Sequence, residues 1–200
     1  MSYGNYPDLT GVKRVLVVKL RHHGDVLLTS PVFSHLKKVL PDAEIDAFVY
    51  AETLPMLEGH PAISNFLLYD RRLKKRSFLK RFAGEAKLLN RVRKGNYDLV
   101  INLTEGDRGA IIALVSGAKV RVGFDPHGAG FAGKRKIFTH LVKTPNGPRH
   151  TTERQLDSLR RIGIFPGEED KPLTFNLPEV ALEKMRSILR EKGINEGEFF

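Results

Sequence analysis

Short apolar runs rich in β-branched residues alternate with longer amphipathic runs along the chain. The apolar runs predict five β-strands, at Arg14–Leu20, Glu44–Val49, Phe66–Asp70, Leu99–Leu103 and Arg121–Phe124. The amphipathic runs predict helices between the strands, at Pro31–Leu40, Phe78–Lys94 and Ala110–Ser116. Strands that alternate with helices in this way are typical of a parallel sheet covered on both faces. The pattern therefore predicts an α/β fold with a Rossmann-like parallel sheet.

The sequence is compatible with two positions for the start of the first of these helices. Ser30 followed by Pro31 is typical of an N-cap and a first helical residue. If the helix instead began near Leu27, Pro31 would kink it. The sequence leaves both alternatives open.

The chain beyond the fifth strand is less regular. Its pattern predicts a glycine-rich basic loop without a local core, then a strand and two helices, at Asp125–Lys136, Ile137–Val142, Thr152–Ile162 and Glu179–Lys192. Phe199 and Phe200 then resemble the beginning of another strand. We expect residues 1–178 to form one Rossmann-like domain. Residues 179–200 are expected to contain an interdomain helix and the start of a truncated second domain.

The amino-acid composition limits the kinds of site and ligand that the chain can have. The chain has 200 residues, enough for one domain with a sizeable core, and it contains no cysteine, which excludes disulfides, thiolate zinc sites and a cysteine nucleophile. Its formal net charge of +10 attracts anions such as nucleic acid, phosphorylated glycans or an anionic lipid leaflet. No run approaches the ~20 apolar residues of a transmembrane helix, and the first residues do not resemble a signal peptide. We therefore expect a cytoplasmic protein.

The loop after the first strand is a candidate for chemistry. Ligands of an open parallel sheet bind beyond the carboxyl ends of its strands, and the segment Arg21–Asp25 lies there. Gly24 allows close approach of a ligand to the backbone or a positive φ, and the carboxylate of Asp25 follows. An isolated Asp before a helix is more commonly a helix cap, so spacing alone favours a cap. His22 and His23 are adjacent, so at most one of them faces a bound ligand.

The glycine pattern of the sequence disfavours a dinucleotide-binding site. The turn after the first strand contains Gly24 alone, and NAD binding is therefore disfavoured. The segment Gly128–Gly133 does match G-x-G-x-x-G and, with Lys134, nearly matches a phosphate-binding loop. However, Arg135 stands where that loop needs Ser or Thr, and no clear helix follows. We interpret this segment as a flexible loop.

Longer segments carry a more specific signal. The run VLVVKLRHHGDVLLTSP at 15–31 resembles the opening of the ADP-heptose:lipopolysaccharide heptosyltransferases, most closely the members that add the third, branching heptose. The resemblance continues in PDAEIDA at 41–47, YDLVINLT at 97–104, RVGFD at 121–125 and HTTERQL at 150–156. It covers most of the chain.

The resemblance implies a GT-B architecture, in which two Rossmann-like domains face a cleft. It identifies the chain as the amino-terminal, acceptor-binding domain, inactive without the second domain that binds the nucleotide sugar. Members of this family transfer L-glycero-D-manno-heptose from ADP-heptose to the inner core of lipopolysaccharide with inversion. They generally need neither a metal nor another cofactor. The resemblance also implies a location at the inner face of the cytoplasmic membrane and no nucleic-acid partner.

Inversion requires a base on the acceptor side, opposite the departing ADP. By resemblance this base is Asp25, in agreement with its place after the first strand. A carboxylate is too weak to deprotonate a free sugar hydroxyl, so proton transfer is expected late, as the attacking oxygen bonds to an oxocarbenium-like carbon. We assign His23 and Gly24 to donor binding. If Asp25 is not the base, His23 is the next candidate.

Basic residues follow the third strand, where the family has residues that bind the phosphates and carboxylates of the inner core. We assign acceptor binding to Arg71, Arg72, Lys74 and Lys75, because such cations suit those anions. Any one of them is equally compatible with a solvated helix start. Arg154 lies in the HTTER motif, whose arginine faces the acceptor in relatives, and is also assigned to acceptor binding.

Two other classes of function fit part of the pattern. The net charge and the basic tract Arg71–Lys94 also suit an RNA-binding or membrane-surface adaptor, although the tract lacks an aromatic stacking platform. A transferase for another nucleotide or for S-adenosylmethionine needs a glycine-rich turn after Leu20, and that turn has one glycine. Tight RNA binding at physiological salt would favour the adaptor.

Overall fold

The structure, a computed structural model, describes residues 6–72, 77–143, 147 and 149–194, without the side chains of 78–80. Its strands are β1 (Arg14–Lys19), β2 (Glu44–Tyr50), β3 (Asn65–Tyr69), β4 (Leu99–Asn102), β5 (Val120–Phe124) and β6 (His140–Val142). These six strands form one parallel sheet in the order β3-β2-β1-β4-β5-β6. The chain builds β2 and β3 on one side of β1, and β4, β5 and β6 on the other. The order of strands therefore reverses between β1 and β4.

Seven helices connect or follow the strands in the described ranges. They are α1 (His23–Leu27), α2 (Ser30–Val39), α3 (Phe78–Lys94), α4 (Asp107–Ser116), α5 (Lys134–Ile137), α6 (Thr151–Arg160) and α7 (Glu179–Glu191). Two 3₁₀ turns add Ala51–Met56 and Glu168–Asp170. None of the helices described is long and apolar enough to cross a membrane.

Different helices cover the two faces of the sheet. Val15 and Val17 of β1 pack in the same core as α1, α2 and α6, whereas Leu16 and Val18 pack in the core that contains residues of α3, α4 and α5. Successive side chains of a strand point to opposite faces of the sheet. Because a core covers each face, the successive residues of β1 that face these cores are apolar. All four residues are 0% exposed. The predicted α/β fold class, with helices on both faces of a parallel sheet, is confirmed.

Most predicted boundaries hold to within one or two residues, although α4 begins at Asp107, three residues before its predicted start. Three further details differ. The short helix α1 was not predicted, because five residues are too few to show a helical period. The second helix begins at Ser30 after Thr29, so Pro31 lies in its first turn and does not kink it. The predicted strand Ile137–Val142 is shorter, since α5 ends at Ile137 and β6 begins at His140.

The glycine-rich loop after β5 has an anchor, contrary to the expectation of a loop without a local core. The ammonium of Lys134 is buried, donates to the backbone carbonyl of Glu105 at 2.5 Å and lies 3.1 Å from Asp107 Oδ1. The helix that follows, α5, has four residues. The lysine that would contact phosphate in a phosphate-binding loop therefore holds this loop against the turn after β4.

The segment after α6 returns across α2 before it reaches α7. The Thr174 amide donates to Ser30 Oγ at 3.0 Å, and the Asn176 amide group donates to the Gly59 carbonyl at 2.7 Å. No residue of α7 is buried. The division into residues 1–178 and 179–200 stays a prediction, and Phe199 and Phe200, the expected start of a strand, lie outside the described residues.

Gly109 of α4 offers a test of the packing behind β4. A methyl group there would overlap the side-chain amide of Asn102, which is 2% exposed. We expect Gly109→Ala to lower the free energy of unfolding by about 1–3 kcal/mol, because overpacking outweighs the higher helix propensity of Ala. Urea denaturation measures the difference. Gly106→Ala is the control, since Thr104 Cγ2 at 3.8 Å is the nearest neighbour of its added methyl group; equal stability of the two variants would contradict the packing described.

Asp170 offers a test of the attachment to α2. Its carboxylate accepts from Lys38 Nζ at 2.8 Å and lies 3.0 Å from His35 Nδ1. The Lys38 hydrogen bond is the main cause that lowers the pKa of Asp170 from 3.8 to about 2, so this stabilisation is present above pH ~4 and is lost as the pH falls toward 2. We expect Asp170→Asn to lower the free energy of unfolding by about 1–2 kcal/mol at pH 7 and to have a much smaller effect at pH 2, where the carboxylate is partly protonated. Urea denaturation at both pH values measures this, and an equal loss at both would contradict it.

Candidate active site

A pocket opens where the order of the strands reverses, between the carboxyl ends of β1 and β4. Open parallel sheets bind their ligands at such a switch point, because the two connecting segments leave it in opposite directions. The pocket is lined by Lys19, Arg21, Asp25, Leu103, Glu105, Phe124, Thr151, Arg154 and Gln155. These residues come from the ends of β1, β4 and β5, from α1 and from the first turns of α6. Five of the nine side chains are charged.

The pairing of β1 with β4 brings the two ends together. The Leu103 amide donates to the Val18 carbonyl at 2.9 Å, and the Leu20 amide donates to Thr104 Oγ1 at 2.7 Å. The buried Asn102 side chain then bonds both backbone groups of Thr104, at 2.9 and 3.1 Å, and so fixes the turn. Glu105 follows this turn directly and faces the loop after β1.

Asp25 lies in the first turn of α1 with its side chain half-buried at the pocket. The N-cap of α1 is His22, and no side chain caps this helix, so the interpretation of Asp25 as a cap is wrong. Gln155 Nε2 donates to the backbone carbonyl of Asp25 at 3.5 Å, which joins α6 to α1. No hydrogen bond to the Asp25 carboxylate is formed within the described part of the chain. The carboxylate is therefore free to accept a hydrogen bond from a ligand.

Gly24 and His23 lie beside Asp25 but do not line the pocket. Gly24 is helical and has open space around its Cα, which leaves room for a ligand and excludes the positive φ considered from the sequence. His23 Nε2 lies 2.8 Å from the Glu52 carbonyl of the 3₁₀ turn after β2. The assignment of both residues to donor binding stays a prediction.

Two arginines and one glutamate form the rim of the pocket. Glu105 accepts from Arg21 Nη2 at 2.9 Å and pairs through its other oxygen with Arg154. The Arg154 guanidinium also lies 4.8 Å from the centre of the Phe124 ring. The hydrogen bond from Arg154 is the main cause that lowers the pKa of Glu105. Because these side chains are one-third to one-half exposed, each pair contributes about 1 kcal/mol or less, and an incoming anion can compete for the arginines.

Lys19 forms the base of the pocket. Its side chain is 6% exposed, and Nζ donates to the Leu103 carbonyl at 3.3 Å. Burial lowers the pKa of Lys19 to about 8, against the carboxylate of Asp25, which raises it. Sequence reasoning missed Lys19, Glu105 and Gln155 as site residues, and it placed Arg21 in the candidate segment without assigning it a role. A signal was present for Lys19 and Glu105, since a charged residue at the carboxyl end of a central apolar strand lies where ligands bind.

The basic residues after β3 lie farther along the same edge of the sheet. Arg71 Nη1 is 3.4 Å from the Glu52 carboxylate, and its guanidinium lies 5.0 Å from the centre of the Tyr50 ring. Arg72 is exposed and pairs with Asp70. Because β3 is two strands from β1, about 10 Å, neither arginine joins the pocket in this structure. Arg154 does join it, whereas Lys74 and Lys75 lie outside the described residues.

The pocket therefore places the free carboxylate of Asp25 among the cationic side chains of Lys19, Arg21 and Arg154. A carboxylate placed in this way can accept a proton, and the rim arginines can bind a phosphate or carboxylate group. Within the residues that the structure describes, no group of three His, Asp or Glu side chains is arranged to hold a metal ion.

Comparison with known proteins finds relatives that match the chain in sequence. No family model matches the chain. Lipopolysaccharide heptosyltransferase 3 of Escherichia coli is 36% identical over 177 residues, and the protein of the same name from strain K12 is 34% identical over 181 residues. The matches cover 88% of this chain and 50% of each relative. The chain thus spans about half the length of the curated relatives that it matches.

Solved structures agree with the fold. A glycosyl transferase of family 9 from Veillonella parvula DSM 2008 superposes with a TM-score of 0.80 at 21% identity, over 97% of this chain and 53% of that protein. The Escherichia coli heptosyltransferase WaaC, solved with ADP-2-deoxy-2-fluoro heptose, superposes with a TM-score of 0.64 at 23% identity, over 80% of this chain and 50% of that protein. The structural matches support the fold. In sequence, the chain is similar to about half of lipopolysaccharide heptosyltransferase 3.

Proposed function

We propose that this chain is the acceptor-binding half of an inverting heptosyltransferase of lipopolysaccharide core synthesis, and that Asp25 is its general base. The single observation that carries the proposal is the free carboxylate of Asp25 in the pocket at the β1–β4 switch point. The sequence relatives are lipopolysaccharide heptosyltransferases, which supports the class of reaction. The position of Asp25 at the pocket supports its choice as the base.

The reaction needs one proton acceptor on this side of the cleft. An acceptor hydroxyl attacks the anomeric carbon of the heptose; the new carbon–oxygen bond forms as the bond to the ADP oxygen breaks on the opposite face. The attacking oxygen becomes acidic as it bonds to carbon, and Asp25 then takes its proton. ADP departs with the electron pair of the broken bond. Asp25 thus acts late and needs no strong basicity.

Donor binding is assigned mainly to the part of the relatives that this chain does not span. The chain matches about half of each relative, and WaaC, which has the same fold in this half, was solved with an ADP-heptose analogue. In the proposed arrangement the two halves face each other across the pocket. The chain alone would then bind an acceptor without transferring heptose. His23 and Gly24, next to Asp25 and outside the pocket, are proposed to meet the donor.

The rim is proposed to hold the anionic groups of the acceptor. Arg21 and Arg154 lie side by side on Glu105, so a phosphate or carboxylate of the inner core can replace the glutamate in their guanidinium forks. Arg71 and Arg72 extend the basic edge beyond the pocket. The net charge of +10 supports action at an anionic membrane leaflet, where we propose that the lipid-linked acceptor is met at the inner face of the cytoplasmic membrane.

Replacing the proposed base tests this function. We expect Asp25→Asn in the complete gene product to lower kcat for heptose transfer by about 10² to 10⁴, because the base is lost while the shape of the side chain is kept. Acceptor affinity and the midpoint of urea denaturation are expected to stay unchanged. Mass spectrometry of the acceptor after incubation with ADP-heptose measures the transfer.

The control is Asp42→Asn, an exposed aspartate before β2 that is not part of the pocket. It removes the same charge and is expected to keep wild-type turnover. Near-normal turnover by Asp25→Asn would eliminate Asp25 as the base.

A further inference from the structure

Lys19 is a buried cation at the end of an otherwise apolar strand. The four residues before it, Val15–Val18, are 0% exposed, and Lys19 itself is 6% exposed. Side chains alternate along a strand, so Lys19 shares the face of Val15 and Val17, where α1 and α6 pack. Burial of an ammonium group is unfavourable unless the group is paired. The presence of Lys19 therefore requires a reason.

Structural pairing does not supply that reason. The Nζ atom has one hydrogen-bond partner in the described part of the chain, the Leu103 carbonyl at 3.3 Å. Across the same residues, no carboxylate oxygen lies within the 4.0 Å of an ion pair with it. An ammonium has three donors, so this environment leaves it incompletely satisfied. A lysine kept for stability alone would have a closer acidic partner.

Four charged groups face Lys19 from the surrounding elements. The carboxylates of Asp25 on α1 and Glu105 after β4 favour its charged form, and the guanidiniums of Arg21 and Arg154 oppose it. Burial is the largest effect and lowers the pKa of Lys19 to about 8. Glu105 is already held by both arginines. Asp25 is therefore the one carboxylate of the pocket left for Lys19 to balance.

We propose that Lys19 is the positioning residue of Asp25, whose ammonium charge balances and orients the carboxylate when a bound sugar displaces water from the pocket. The inference rests on the proposed role of Asp25 as the base. In water a lone carboxylate is well solvated, but in a pocket closed by substrate it needs a fixed positive charge to keep its own charge. Lys19 is buried in the wall of the pocket that Asp25 also lines, so it can supply this charge from within the protein while the open side of the pocket is left to the acceptor.

The pH dependence of transfer tests the proposal in the complete gene product. We expect kcat to fall as the pH rises through about 8, where Lys19 loses its charge. We expect Lys19→Arg to keep activity and to lose this decline, because a guanidinium stays charged to much higher pH. We expect Lys19→Met to lower kcat at pH 7 by about tenfold or more, with little change in the acceptor KM, and to show no decline near pH 8.

A matched control separates this effect from the general loss of a lysine. Lys37 also donates to a backbone carbonyl, that of Ala43 at 3.0 Å, but lies on α2 outside the pocket. Lys37→Met is expected to keep both the wild-type kcat and its pH profile. A wild-type decline near pH 8 that persists in Lys19→Met would overturn the proposal.

Folding measurements on the chain distinguish positioning from structural support. Because the folded pKa of Lys19, about 8, lies below its ordinary 10.5, the unfolded chain binds more protons between these values. Stability due to this residue therefore rises as the pH increases from 8 to 10.5. We expect Lys19→Met to raise the urea midpoint at pH 7 and to remove this rise. A lowered midpoint at pH 7 would show that Lys19 supports the fold and would overturn the proposal.

The failure of this inference and the failure of the proposed function have different signatures. If the wild-type protein transfers heptose and Lys19→Met transfers it equally well at every pH, the role of Lys19 is wrong and the role of Asp25 stands. If the wild-type gene product transfers no heptose from ADP-heptose to any inner-core acceptor, the proposed function is wrong. The proposed role of Lys19 is then wrong as well.

Discussion

The parallel pairing of β1 with β4 is the interaction on which the candidate site depends. It aligns Val18 with Asn102, 84 positions later in the sequence, so β1 and β4 end within one residue of the same level. The connections leave β1 and β4 in opposite directions and open the pocket between them. Lys19 and Asp25 belong to one side of this opening and Glu105 to the other. A shift of register by one residue would turn Lys19 to the other face of the sheet.

The charges of the pocket are arranged so that one carboxylate is held and the other is free. Glu105 bridges Arg21 and Arg154 and so closes the rim in the absence of an anion. Asp25 faces the pocket without a described hydrogen bond to its carboxylate, and Lys19 lies buried at the base of the same pocket. An isolated domain would be more stable with an apolar residue at position 19. In the proposed role of Lys19, the strand carries this destabilising group for function and not for folding.

Much of the fold could be predicted from the alternation of apolar and amphipathic runs, because β1, β2 and β4 are buried on both faces and α3 is long enough to show its period. The position of Asp25 was also predictable, since the carboxyl end of the first strand is a binding position whatever follows it. The five-residue α1 was not, because its sequence is too short to show a period. The contact of Arg154 with Glu105 joins residues 49 apart, which no local pattern reveals. Lys134 resembled the lysine of a phosphate-binding loop, and only its tertiary contacts with Asp107 and the Glu105 carbonyl show its structural role.

A crystal structure of the complete gene product with a phosphorylated inner-core oligosaccharide tests the proposed site most directly. We expect an acceptor hydroxyl about 2.6–3.2 Å from the Asp25 carboxylate. We also expect an anionic group of the sugar in the forks of Arg21 and Arg154, with Glu105 displaced. An oligosaccharide bound elsewhere on the domain, with the β1–β4 pocket empty and Glu105 still held by both arginines, would contradict the proposed site.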